Sequence, residues 1–191
     1  MLSLEHPVAF QIMTKPHGPI CNLNCTYCYY LEKKKLYPAT RDFKMTDELL
    51  ETYTKQYIES QDVPLVTFTW QGGEPTLMGI EFFKRAIQLQ EKYRNGKKIE
   101  NAFQTNGTLI NEDWCRFLHD HHFLVGVSID GPREIHDLHR TNINGKASFD
   151  HVMSAIELFK KHKVEFNTLT VVHRDNVRHA SEIYRFLKKI G

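Results

Sequence analysis

Three cysteines, Cys21, Cys25 and Cys28, stand at C-x3-C-x2-C spacing. Three thiolates fall one short of the four ligands that close a structural zinc site. They suffice for three irons of a [4Fe–4S] cluster, which takes one cysteine per iron, and they leave the fourth iron open to a small molecule. A cofactor of that kind carries the hard chemistry, and the protein supplies orientation and shelter from side reactions. Two plainer readings stand beside this one. The loop could be a zinc knuckle that borrows one of the 11 histidines, such as His17. The cysteines could also be small buried hydrophobes. Cys115 lies between Trp114 and Arg116, with Phe117 close by, in a helical pattern. It reads as a packed hydrophobe and not as a ligand.

Chemistry in a loop needs a frame, and the chain reads as strand and helix in alternation. Val8–Met13 is an apolar-rich run and a candidate first strand. The long segment from Thr14 to Met45 holds the cysteines, and a loop of that length is usually functional. Thr46 then caps a helix with Asp47 and Glu48 in its first turn, where negative charge suits the helix dipole. Its inward face is expected to be Leu49, Leu50, Tyr53, Tyr57 and Ile58. Leu65–Trp70 is strand two by its β-branched and aromatic content. A helix bearing Phe82, Phe83, Ala86, Ile87, Leu89 and Tyr93 ends at Asn95-Gly96. Ile99–Gln104 is strand three, and Asn111 caps a helix carrying Trp114, Phe117 and Leu118. Phe123–Ile129 is strand four. Ser148 caps a helix with Val152, Ala155, Ile156 and Phe159 inward. Val164–Val172 is strand five, and Ser181–Ile190 a final helix. Strands separated by helices predict an α/β fold with a parallel sheet and right-handed crossovers. A closed eight-unit barrel needs about 250 residues, so a partial barrel is expected.

Ligands of parallel α/β sheets bind outside the carboxyl ends of the strands, and the distinctive segments fall there. The cysteine loop, with Tyr27 between two cysteines, follows strand one. Gln71-Gly72-Gly73-Glu74-Pro75 follows strand two; adjacent glycines free the backbone to approach a ligand closely, although Gly-Gly before Pro is also an ordinary turn. Gln104-Thr105-Asn106-Gly107 follows strand three and reads either as a polar cavity wall or as an Asn-Gly turn. Ser128-Ile129-Asp130-Gly131-Pro132 follows strand four, with Arg140 nearby. Ser128 and Arg140 would suit a carboxylate or a ribose, because the planar arginine fork pairs with carboxylates.

Composition sets wider bounds. The 191 residues are 41% hydrophobic and 25% charged, with a net charge of +2, as expected of a single domain spanning 1–191. That charge predicts neither nucleic acid nor an anionic membrane as a partner. No stretch approaches the ~20 apolar residues of a membrane span. The first ten residues hold Glu5, His6 and Pro7 and no apolar stretch of a secretory signal. Clustered thiols without a disulfide framework point to a reducing cytoplasm.

With these motifs assembled, the chain resembles the anaerobic sulfatase-maturating enzymes of the radical S-adenosylmethionine (SAM) superfamily. The strings that carry the resemblance include Lys15-Pro16-His17-Gly18-Pro19, Cys28-Tyr29-Tyr30-Leu31 and Trp70 through Gly79. They also include Phe103 through Thr108, Ser128 through Pro132 and Phe166 through Val172. The resemblance implies a partial (βα)6 barrel, incomplete at its C-terminal side. It implies an oxidoreductase that converts a cysteine or serine of a sulfatase precursor to Cα-formylglycine by way of a 5′-deoxyadenosyl radical. Its cofactors would be a [4Fe–4S] cluster on Cys21, Cys25 and Cys28, and SAM. By resemblance SAM lies against Tyr27, Gly73, Ser128 and Arg140, with Gln71, Gly72 and Glu74 close by and Gln104, Asn106 and Asp130 in the same wall. Tyr30 would face the substrate. The implied partners are the sulfatase precursor and an electron donor such as a flavodoxin or ferredoxin. Members of this branch run to roughly twice this length. Their further part completes the barrel, adds two more clusters and supplies the expected carboxylate base, so the catalytic base is expected beyond Gly191 and this chain alone is expected to be incomplete. Another peptide-modifying radical SAM activity, such as thioether formation, and a non-catalytic metal-binding domain are the alternative readings.

Overall fold

The computed structural model describes residues 9–39 and 42–191. The Val8 end of the expected first strand, and the Glu5, His6 and Pro7 read against a signal sequence, lie outside the described residues. Among the described residues, five strands form one parallel sheet in the order of the chain: β1 (Met13–Thr14), β2 (Leu65–Trp70), β3 (Lys98–Thr105), β4 (Leu124–Ser128) and β5 (Phe166–Leu169). The connecting helices are α1 (Asp47–Glu59), α2 (Ile80–Tyr93), α3 (Glu112–Asp120), a short α4 (Arg133–His136), α5 (Phe149–Lys161) and α6 (Ala180–Ile190). Each strand lies beside its predecessor, as in a sheet on its way to a barrel. Among the described residues, no helix is long and apolar enough to cross a membrane.

Alternation along the strands sorts the side chains. Val66, Phe68, Trp70, Phe103, Val125 and Val127 are buried against Leu50 and Ile58 of α1, Phe83 and Leu89 of α2, Trp114 and Leu118 of α3, and Ile156 and Phe159 of α5. Burying each such side chain is worth about 1.5–3 kcal/mol. Cys115 sits in this core, fully buried. The opposite face carries Thr67, Thr69, Glu100, Ala102, Gln104, Gly126 and Ser128, all half-buried. This polar face leads to the carboxyl ends of the strands.

The caps behave largely as the sequence predicts. Thr46 Oγ1 accepts from Leu49 N at 3.2 Å, and Asn111 Oδ1 accepts from Trp114 N at 3.0 Å. Ser148 is different: its hydroxyl turns to the carbonyl of Arg140, and the orphan amides of Ser148 and Phe149 are satisfied by Asp137 Oδ1, each at 3.0 Å. Leu49 is 53% exposed, because it sits a full 100° around the helix from Leu50 and the inward arc is taken by Leu50, Thr54, Tyr57 and Ile58. The first strand is shorter than expected: the Phe10 carbonyl accepts from the side chains of Tyr57 and Gln61 and does not join the ladder. Strand five is also shorter. Past Leu169, side chains take over its backbone groups: Asp130 Oδ1 accepts from Val171 N, and Asn176 Nδ2 donates to Val171 O.

Candidate functional site

The cysteine loop lies over the carboxyl end of the sheet and is stitched there by main-chain bonds. Asn24 N donates to Thr141 O at 2.8 Å, and Thr26 N to His139 O at 3.1 Å. Leu23 pairs with Asn142 as an antiparallel bridge. The Thr26 hydroxyl meets His139 Nδ1 at 2.5 Å, and His139 Nε2 meets Asp175 Oδ2 at 2.9 Å. On the other flank, the turn after β2 is clamped to residues 18–20. Gly73 N donates to Gly18 O at 2.9 Å and Glu74 N to Ile20 O at 2.8 Å. A Cβ on Gly73 would sit 1.9 Å from the Ile20 oxygen, and Gly72 adopts φ +117°. Glycine at 73 is therefore required by chain packing against residue 20, a demand additional to the close approach to a ligand that the sequence suggests.

Between these walls opens a cleft of about 410 Å³. It is lined by Cys21, Cys25, Cys28, Tyr27, Gln71, Gly72, Gly73, Glu74, Gln104, Asn106, Ser128 and Arg140, with Leu23, Thr105 and Leu169–Val171. A smaller hollow of about 160 Å³ shares the three cysteines and is bordered by Lys15, Tyr29 and Tyr30. Tyr30 thus lies beside the thiols but in the second hollow, under the Lys15 ammonium at 4.5 Å. Asp130 lines neither; it lies behind Arg140 and Tyr27, fully buried.

The polar groups divide into those already satisfied and those left open. Glu74 Oε1 accepts from Thr76 N, Thr76 Oγ1 and Thr105 Oγ1, and Oε2 accepts from Asn106 N, all within 3.0 Å. Burial pushes its carboxyl up, and these four donors pull the other way. Asp130 accepts from Arg140 Nε at 3.0 Å, from Val171 N at 3.1 Å and from the Tyr27 hydroxyl. By contrast, the carbonyls of Gln71, Gly72 and Gly73 accept no hydrogen bond among the described residues, while their neighbouring amides are spent on the clamp. Arg140 is 6% exposed and uses only Nε, so its two terminal amino groups remain for the cleft. The Ser128 hydroxyl accepts from Gln104 Nε2 at 3.0 Å and keeps its own proton to donate. Open carbonyls fit an ammonium, and an open guanidinium edge fits a carboxylate. The cleft thus offers the two halves of an amino-acid recognition site beside the thiols.

The three thiols are not gathered around a single-ion position. Three sulfurs on one zinc would stand about 3.8 Å apart, from a Zn–S distance near 2.3 Å. Among the described residues, the group whose ligand atoms gather within 4.8 Å of one another is His139, His173 and Asp175, and the cysteines form no such group. His17, the histidine a zinc knuckle would borrow, lines neither hollow. Cys21 Sγ accepts from Leu23 N at 3.3 Å and Asn106 Nδ2 at 3.7 Å. Burial nonetheless pushes its thiol up to about 11 and raises Cys25 as well. Metal binding must supply the free energy that deprotonates them.

The sequence did not assign Leu169–Val171, Thr26 or His139 to the site, although Leu169–Val171 lie in a string that carries the resemblance. Leu169–Val171 stand at the carboxyl end of β5, a signal that could have found them. His139 carries no local signal, since its partners lie far along the chain.

A parallel sheet with a three-cysteine loop and a polar cleft at its carboxyl rim is the architecture of a radical SAM protein. The family profile described as the Radical SAM superfamily matches residues 15–187, and the chain belongs to that superfamily. It is 50% identical over 179 residues to a serine-type anaerobic sulfatase-maturating enzyme of Bacteroides thetaiotaomicron, covering 94% of this chain and 43% of that one. It is 47% identical over 180 residues to a cysteine-type anaerobic sulfatase-maturating enzyme of Clostridium perfringens, covering 93% and 48%. A solved structure of native anSMEcpe with bound AdoMet and Cp18Cys peptide superposes with a TM-score of 0.85 at 43% identity, covering 94% of this chain and 47% of that one. The chain therefore spans a little under half the length of the relatives it matches.

Proposed function

We propose that this chain carries the cluster and SAM sites of an anaerobic sulfatase-maturating enzyme, which oxidises a cysteine or serine of a sulfatase precursor to Cα-formylglycine. The observation that supports this most is the pairing, in one cleft, of three free thiols with open carbonyls and an open arginine edge. In this reading Cys21, Cys25 and Cys28 hold a [4Fe–4S] cluster. When bound, the cluster and SAM together would supply the radical chemistry needed to oxidise the target side chain. The rest falls to the chain's own groups. The carbonyls of residues 71–73 orient the SAM ammonium, and Arg140 and Ser128 take its polar oxygens. Tyr27, held by Asp130, offers its ring to the adenine. Gln104 and Asn106 close the polar wall. Glu74 and Asp130, whose oxygens are filled by protein donors, act by positioning and not by touching ligand. Tyr30, above the smaller hollow, faces the peptide. The catalytic base belongs to the part of the enzyme that the longer relatives have in addition. The partners would be a sulfatase precursor and a low-potential electron donor such as a flavodoxin or ferredoxin, and clustered thiols of this kind suit a reducing compartment such as the cytoplasm.

The test is anaerobic reconstitution with iron and sulfide, followed by SAM and dithionite as electron source. The expected result is about four irons per chain and release of 5′-deoxyadenosine. Stoichiometric zinc in a colourless protein, with no SAM cleavage, would refute the reading. In an enzyme of the relatives' length, a sulfatase-derived peptide should gain an aldehyde by mass spectrometry. A thioether crosslink instead would assign the cleft to a different peptide chemistry.

A further inference from the structure

The Arg140–Asp130 pair is held by more than its own contact. His136 is fully buried beside it. Its Nδ1 accepts from Asp130 N at 3.3 Å, and its Nε2 lies 3.0 Å from Ser148 Oγ. Ser148 Oγ donates to the Arg140 carbonyl at 2.6 Å. A hydroxyl has one proton, and this one is committed to the carbonyl, so Ser148 must accept from His136 Nε2–H. Every donor and acceptor is then assigned: Asp130 N–H to His136, His136 to Ser148, Ser148 to Arg140 C=O. Arg140 Nε closes the circuit on Asp130 Oδ2 at 3.0 Å.

We propose that His136 is a positioning residue for the SAM site: as the bridge of this closed ring, it fixes Arg140 so that its terminal amino groups face the cleft. The proposal rests on the reading of the cleft as a SAM site. A residue that merely filled space here would need no nitrogen at all, and the Phe149 ring already packs edge-on against it at 5.7 Å. Instead both ring nitrogens are used, one as acceptor and one as donor, between the two members of the ion pair. That pattern needs a neutral imidazole in a single tautomer. Burial supplies it by holding the ring well below its usual range. Within the ring Asp130 and Arg140 are each held once by side chain and once by main chain, in addition to the bonds Asp130 takes from Tyr27 and Val171 and the Arg140 N bond to His136 O. Opening the ring frees the backbone at one end of the pair and lets the guanidinium edge turn out of the cleft.

The experiment uses anaerobically reconstituted protein and three variants: S148A, H136L and H136Q. Glutamine offers an acceptor and a donor at nearly the spacing of the two ring nitrogens. Iron per chain and thermal midpoint report folding, and calorimetry reports SAM affinity. S148A and H136L should retain their iron yet bind SAM about tenfold more weakly, the effect of one or two lost net hydrogen bonds. H136Q should stay within about threefold of the parent. Independently of SAM, nitrogen-15 spectra of the metal-free protein should show His136 as the neutral Nε2–H tautomer. If H136L fails to fold, S148A and H136Q still decide. Parental affinity in S148A, or an Nδ1–H tautomer at His136, would overturn the positioning role and leave the SAM reading intact. Failure of the parent protein to bind SAM would overturn both.

Discussion

Replacing Gly73 by alanine should dislodge the cysteine loop. The added Cβ would sit 1.9 Å from the oxygen and 2.4 Å from the carbon of the Ile20 carbonyl. Ordinary contact begins near 3.4 Å, and the opposing atoms are backbone, with no side chain to swing aside. The two strands of the clamp must part by roughly 1.5 Å, which takes both of its hydrogen bonds beyond bonding distance. Two net hydrogen bonds at about 1 kcal/mol each give a loss of about 2 kcal/mol. The displaced residue adjoins Cys21, so the cost falls on the metal site. Urea melts of the metal-free protein should show the destabilisation, and iron per chain after reconstitution should fall by at least about half, as expected where metal affinity is coupled to folding. Gly79→Ala is the control. That glycine has φ +80° but nothing within 4 Å of its missing Cβ. It should cost about 1–2 kcal/mol of backbone strain and lose no iron. If Gly73→Ala reconstitutes to full iron content with a parental melt, the clamp does not hold the loop.

Other outcomes follow from the same geometry. Alanine at Cys21, Cys25 or Cys28 should each abolish cluster formation, while Cys115→Ala should keep its iron and cost about 1 kcal/mol of packing; equal iron loss at Cys115 in a metal assay would contradict the assignment. Asp130→Ala leaves the Arg140 guanidinium buried without its partner and should destabilise by about 3–5 kcal/mol, measured by chemical unfolding; a loss under about 1 kcal/mol would mean that the pair is not held as described. Burial depresses His136 to about 4, with Arg140 acting in the same direction and Asp130 and Asp137 opposing. The unfolded chain therefore takes up a proton near pH 6.5 that the native state refuses, and acid favours unfolding. Stability should fall by up to about 3 kcal/mol as pH drops from about 6.5 to 4. The His136→Gln variant should flatten that slope, and an unchanged slope would show that His136 is not its source.

The order and type of the elements could be read in the sequence because each carries its own period: Leu65–Trp70 forms β2 at those bounds, and Asn111 caps α3 as its side chain suggests. The gathering of four strand-end motifs into one cleft follows from the parallel topology alone. What escaped are the places where a side chain replaces a main-chain partner. Strand five stops at Leu169 because Asp130 and Asn176 claim Val171, and no local pattern encodes such a claim. The acid of Gly-Gly-Glu-Pro turns inward because Thr105 and Asn106 supply donors from another strand end. The packing demand on Gly73 escaped because the carbonyl that makes it belongs to Ile20 in a distant loop. His136 looked like one histidine among many until Asp130, Ser148 and Arg140 stood around it.

The stitching of the cysteine loop to residues 139–142 also sets a timetable for biosynthesis. Thr26 and His139 are 113 residues apart. At about 5–20 residues per second, roughly 6–23 seconds of translation separate the emergence of the cysteines from that of the backbone they rest on. Through that interval β2, β3 and β4 emerge, but the three thiols lie in a loop whose partners at 139–142 have not yet been made. They are open to oxidation, to wrong pairing and to any stray divalent ion. A cell that makes this protein gains from keeping the nascent segment reduced, and from delivering iron and sulfur only after the chain has folded past Asn142.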